Sequence, residues 1–84
     1  MPMNPTTPTL INTQCRIVRD YIERLRSHVQ DGYAVRHETK MDTFYMVRLK
    51  HMSNGNEIVL KADFKNNSLS QKTNHIVTYY QVYE

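Results

Sequence analysis

The sequence predicts an α+β domain: one N-terminal amphipathic helix packed on one face of a three- to four-stranded antiparallel β-meander, in two layers. Three observations predict it. Apolar residues from Leu10 to Val29 recur at helical spacing. Asn54-Gly55 lies between two runs that alternate apolar and polar side chains. The stretch from His75 to Tyr83 is dense in β-branched and aromatic residues.

Met1 to Pro8 holds all three prolines and reads as a flexible tail, because each proline biases its predecessor away from helix. Residues 9–84 form the single domain. Thr9 is the expected N-cap of a helix over about 10–31. Leu10, Ile17, Val18, Tyr21, Ile22, Leu25 and Val29 fill its apolar side, and arginines alternate with acids on the other. Asp20 and Arg24 stand at the i,i+4 spacing of a helical ion pair. Gly32 follows Asp31 as the residue that ends the helix.

A first strand is expected over about 33–39, with Tyr33, Val35 and His37 inward. Lys40 to Thr43 then turns into the central hairpin, about 43–52 and 57–65. Asn-Gly is the favoured pair for a two-residue type I′ turn, which requires positive φ at both central positions. Such a turn sets Tyr45, Val47, Leu49 and His51 opposite Phe64, Ala62, Leu60 and Ile58, one apolar face. On the other face it sets Phe44 opposite Lys65, Met46 opposite Asp63, Arg48 opposite Lys61 and Lys50 opposite Val59. Lys65 to Ser68 forms a turn, residues 69–74 read as polar loop, and about 75–83 forms the last strand.

A single helix covers part of one sheet face and leaves the other open. The expected partner-binding residues therefore lie there: Arg36, Phe44, Met46, Arg48, Lys50, Val59, Lys61 and Lys65, with Tyr80 from the last strand. Tyr79 and Tyr80 point to opposite faces, so one packs beneath the helix and the other looks outward.

Composition narrows the function. Eighty-four residues with 39% hydrophobic content suit one small globular domain. The net charge of +3 is too mild and too evenly spread for a dedicated nucleic-acid binder, so any electrostatic function must come from how charges sort onto faces. No basic segment precedes an apolar one, so no signal peptide is expected, and a cytoplasmic location follows. The one cysteine, Cys15, excludes an intrachain disulfide and has no base placed beside it. His28, His37, His51 and His75 match no zinc spacing. No catalytic residue, metal site or cofactor is expected.

Two resemblances add to this reading. The Asp-Gly-Tyr that ends the helix, Val35-Arg36-His37, and the strand Phe44-Tyr45-Met46-Val47 resemble the opening of HicA-type messenger-RNA-cleaving toxins over about residues 17–62. The glycine before the histidine and the closing helix of that family are missing, so no catalytic histidine is carried over. A helix followed by a short meander of mixed charge is also similar to several small phage anti-CRISPR inhibitors. The expectation is a small non-enzymatic interaction protein, an accessory or inhibitor from a phage or mobile element, docking an acidic protein surface through its open sheet face. RNA or single-stranded nucleic-acid binding by the same face is the alternative, a HicA-like ribonuclease using His37 the third reading. A homodimer would hide the apolar last strand.

Overall fold

The computed structural model describes residues 9–81, with side chains from Arg16 to Tyr80. The N-terminal tail, the side chains of Thr9 and Cys15, and the chain beyond Gln81 lie outside the described residues. Helix α1 (Thr9–Gln30) precedes five strands: β1 (Tyr33–Lys40), β2 (Phe44–His51), β3 (Glu57–Asp63), β4 (Ser68–Thr73) and β5 (Ile76–Gln81). They form one antiparallel sheet in sequence order, and α1 lies over β1, β3 and β4. The α+β class holds, with one more strand than the sequence predicts.

That strand is β4, expected as loop. Its residues Ser-Leu-Ser-Gln-Lys-Thr carry one apolar side chain, Leu69, which is buried in the core. Ladder hydrogen bonds to β3 and β5 on both sides hold the rest, so pairing overrides a weak hydrophobic pattern.

The core joins Ile17 and Tyr21 of α1 to Val47, Leu49, Ile58, Leu60, Ala62, Phe64 and Leu69. Each of the Val, Leu, Ile and Phe side chains among these contributes roughly 1.5–3 kcal/mol on burial. Tyr45 lies edge-on between Tyr21 and Phe64, with ring centroids 6.0 and 5.0 Å away. The apolar stripe of α1 is narrower than its sequence spacing implies. Ile22 and Val29 remain 41% and 48% exposed, because a lone helix presents less than half its circumference to a sheet.

The β2–β3 hairpin departs from the predicted turn. Its strands close at His51 and Asn56, whose backbone N–H and C=O bond at 2.7 Å, leaving a four-residue loop. Gly55 holds φ +74° and donates its N–H to the His51 carbonyl at 3.1 Å. Only Gly55 of the Asn-Gly pair has positive φ, so the type I′ turn is not made. The register therefore moves by two residues: Phe44 faces Asp63, Met46 faces Lys61, Arg48 faces Val59 and Lys50 faces Glu57. A shift of two keeps every side chain on its predicted face, since the strand period is two. The predicted Arg48–Lys61 like-charge pair does not form. Lys65 is not a sheet residue; it sits in the β3–β4 turn, beside Asn67 at φ +52°. Among the described residues the pair with both φ positive is instead Asn74-His75, a two-residue turn closed by Thr73 opposite Ile76.

A bulge at Arg36 moves the second half of β1 by one residue: Val35 faces Leu49, and His37 faces Arg48. His37 therefore points to the open face, not inward as expected. Glu38 takes the inward place, where its carboxylate accepts a long 3.4 Å hydrogen bond from the Tyr21 hydroxyl.

Gly32 ends the helix at φ +104° and donates to the Val29 carbonyl. Its carbonyl accepts from Met52 N, and a Cβ here would sit 2.8 Å from His51 Nε2. His51 lies inward as predicted. Its Nε2 bonds the Asp31 carbonyl at 2.9 Å, while Nδ1 accepts from Ser53 N and Asn54 N, which assigns the Nε2–H tautomer. One imidazole thus joins the helix end to the β2–β3 loop.

Candidate functional site

Because Val47, Leu49, Ile58, Leu60, Ala62 and Leu69 point toward α1, their alternate neighbours form the open face of the sheet. The register arranges that face in rows running across the strands. One that crosses all five strands is His37–Arg48–Val59–Lys72–Val77. Beside it runs Thr39–Met46–Lys61–Ser70–Tyr79. Ala34–Lys50–Glu57 flanks one side, and Phe44–Asp63–Ser68 the other.

Met46 and Val59 are half-buried at the middle of this surface, with cations on every side. Arg36, Arg48 and Lys50 meet Glu57 around a depression of about 220 Å³. His37, Met46, Arg48 and Val59 line a second, of about 380 Å³. A wider groove of about 510 Å³ runs over Arg48, Val59 and Lys72 between the β2–β3 loop and the Asn74-His75 turn. Lys61 Nζ lies 5.1 Å from the Phe44 ring centroid, a cation–π contact that holds both side chains against the sheet.

Lys and Arg outnumber acids here, and the two carboxylates are partly engaged. Glu57 lies opposite Lys50. Asp63 accepts from the Asn66 side-chain amide at 2.8 Å and from the backbone N–H groups of Lys65 and Asn66 at 3.1 Å. The Asn66 amide chiefly, then the backbone donors and the charge of Lys61, hold the Asp63 carboxyl below the usual carboxylate range. The face is therefore net cationic.

The structure brings together Arg36, Phe44, Met46, Arg48, Lys50, Val59 and Lys61 on this face, as the sequence predicts. Two expected members are absent from it. Lys65 is in the turn. Tyr80 faces the helix: it lies opposite buried Leu69, packs on the core, and has the Arg24 guanidinium 3.6 Å above its ring centroid. Arg24 is thus spent on Tyr80, while Asp20 meets Arg19 at 3.5 Å instead.

Tyr79, Val77, Lys72 and His37 are the members the sequence reading missed. Tyr79 is 71% exposed. Its face and that of Lys72 were legible from alternation starting at Leu69 and carried across an Asn74-His75 turn, had residues 69–74 been read as a strand. The bulge that turns His37 outward has no signal in Arg36-His37-Glu38, where every residue is polar.

The remaining inward polar groups knit the helix to the sheet. His28 bonds Gln71 at 3.0 Å and lies edge-on to Tyr33, which in turn meets the His51 ring at 4.8 Å. Among the described residues no three His, Cys, Asp or Glu side chains are grouped to hold a metal ion. No described helix is long and apolar enough to cross a membrane. Comparison with protein-family models, with curated proteins and with solved structures yields no match.

Proposed function

We propose that this chain is a small non-enzymatic binding module that docks an acidic protein surface on the open face of its sheet. The carrying observation is the placement of half-buried Met46 and Val59 inside a ring of Arg36, Arg48, Lys50, Lys61 and Lys72. An apolar centre with a charged rim is the anatomy of a protein interface: the centre supplies desolvation, and the rim supplies orientation and rate of encounter. Aromatic platforms for bases are set apart, since Phe44 is on β2 and Tyr79 on β5, three strands away.

Affinity capture from a lysate of the source cells tests this reading. The bound protein should survive nuclease treatment, be lost in an Arg48→Glu/Lys61→Glu variant, and be retained in Arg26→Glu on the helix. Loss on nuclease treatment would move the reading to nucleic acid.

The wide groove favours that second reading. Arg48, Lys72 and His75 border it together with Asn56 and Asn74, donors suited to phosphate oxygens, against one carboxylate, Glu57. Binding of this kind weakens steeply with salt, because neutralised phosphates release counterions. Docking of an acidic protein surface also weakens with salt through its charged rim, so nuclease treatment is what separates the two readings.

A further inference from the structure

We infer that β5 is a pairing edge for a second copy of this chain, joining two five-stranded sheets antiparallel through a two-fold axis at Thr78. The two edges of the sheet are built differently. β1 is interrupted by the bulge at Arg36 and carries charges at Arg36, Glu38 and Lys40, the usual devices that block edge pairing. β5, Ile-Val-Thr-Tyr-Tyr-Gln, has no charge, proline or glycine, and its register with β4 is unbroken. Its apolar side chains are open to solvent, with Ile76 69% and Val77 45% exposed.

The backbone fixes which groups are on offer. A two-residue turn makes Thr73 and Ile76 a hydrogen-bonded pair, and alternation then directs the polar groups of Ile76, Thr78 and Tyr80 toward β4. The N–H and C=O of Val77 and Tyr79 point outward from the sheet. A second β5 set antiparallel, with Thr78 opposite the partner's Thr78, places Val77 opposite the partner's Tyr79 as a hydrogen-bonded pair. It also places Ile76 opposite the partner's Tyr80, on the helix side. Both off-centre pairs between Ile76 and Tyr80 are aromatic against β-branched, the favoured cross-strand combination, and no charge meets a like charge. This self-complementarity is why the occupant is a second copy and not an unrelated strand. The inference stands independently of the docking reading, although the joined sheets would present one continuous open face.

Sedimentation equilibrium tests it. The mass should rise with concentration toward twice the 10.0 kDa of the chain. Val77→Pro removes an outward donor without touching the β4 ladder, and Tyr79→Lys replaces the aromatic half of both Val77–Tyr79 pairs by a cation, with the two cations diagonal to one another across the axis. Both should stay at the single-chain mass with an unchanged circular dichroism spectrum. In a Cys15→Ser background, Thr78→Cys should oxidise to a cross-linked pair by itself, whereas Val77→Cys should do so only when mixed with Tyr79→Cys. A single-chain mass at every concentration overturns the proposal, even if another protein's strand is captured. So does a dimer that both edge variants leave intact, or a Thr78→Cys chain that cross-links no faster than Ser53→Cys in the exposed loop.

Discussion

Arg48 of β2 stands directly opposite Val59 of β3, and both face away from the helix. Its cross-strand neighbour on β3 is thus apolar, while Arg36, Lys50 and the carboxylate of Glu57 share the depression beside it. Arg48→Glu should leave the unfolding free energy measured in urea within about 0.5 kcal/mol of the parent, as for an ordinary surface change. A larger loss would mean that Arg48 supports the fold.

Gly32 is required twice, by its φ of +104° and by the His51 ring 2.8 Å from where a Cβ would lie. Gly32→Ala should destabilise the protein by about 1–3 kcal/mol. Part of that cost is the clash with the imidazole. Denaturant unfolding of Gly32→Ala, His51→Ala and the double variant should show the two losses to be less than additive. Full additivity would remove the imidazole from the explanation.

His75 occupies the second central position of the β4–β5 turn at φ +70°, a conformation that costs a side-chain-bearing residue roughly 1–2 kcal/mol. Glycine relieves that strain but loses more entropy on folding. His75→Gly should therefore raise stability by a net amount of about 0.5–1 kcal/mol, read as a higher urea midpoint. A lower midpoint would show that the imidazole makes a compensating contact.

Two groups give the stability opposite pH limbs. The folded pKa of Asp63 is depressed, so its contribution is present above the ordinary aspartate value of about 3.9 and is lost as pH falls through the folded value. The stability gap between wild type and Asp63→Asn should hold at neutral pH and shrink below about pH 4. Burial, reinforced by the Glu38 carboxylate, pushes the Tyr21 hydroxyl up. Its contribution is full below the ordinary phenol value of about 10 and is lost as pH climbs beyond it. Tyr21→Phe should cost less than about 1 kcal/mol at neutral pH, given the long hydrogen bond, and should lack the alkaline decline. Parallel pH profiles for either pair would contradict these assignments.

Much of the architecture was legible in the sequence because side-chain alternation is robust to small errors of register. The β2–β3 loop defeated the Asn-Gly signal: Asn54 is turned to accept from Asn56 N through its side chain, and His51 Nδ1 holds the loop backbone. Those contacts depend on where the helix ends, which no local pattern reveals. The two-residue shift still left Met46, Arg48, Val59 and Lys61 on the face expected of them. Two places failed for want of apolar residues. β4 shows Leu69 alone to a hydropathy reading, and the bulge at Arg36 lies among polar residues whose face nothing marks. The error at Tyr80 came from β4, because the face of β5 is set by the strand before it.

The most direct test of the open face is an amide NMR titration of the labelled protein with poly-L-glutamate, and in parallel with a single-stranded oligothymidine. Poly-L-glutamate should shift resonances at Arg48, Val59, Lys61 and Lys72 and leave those of the helix in place, and it should do so at lower concentration than oligothymidine. Perturbations confined to α1, or none on β2 to β4, would contradict the docking reading.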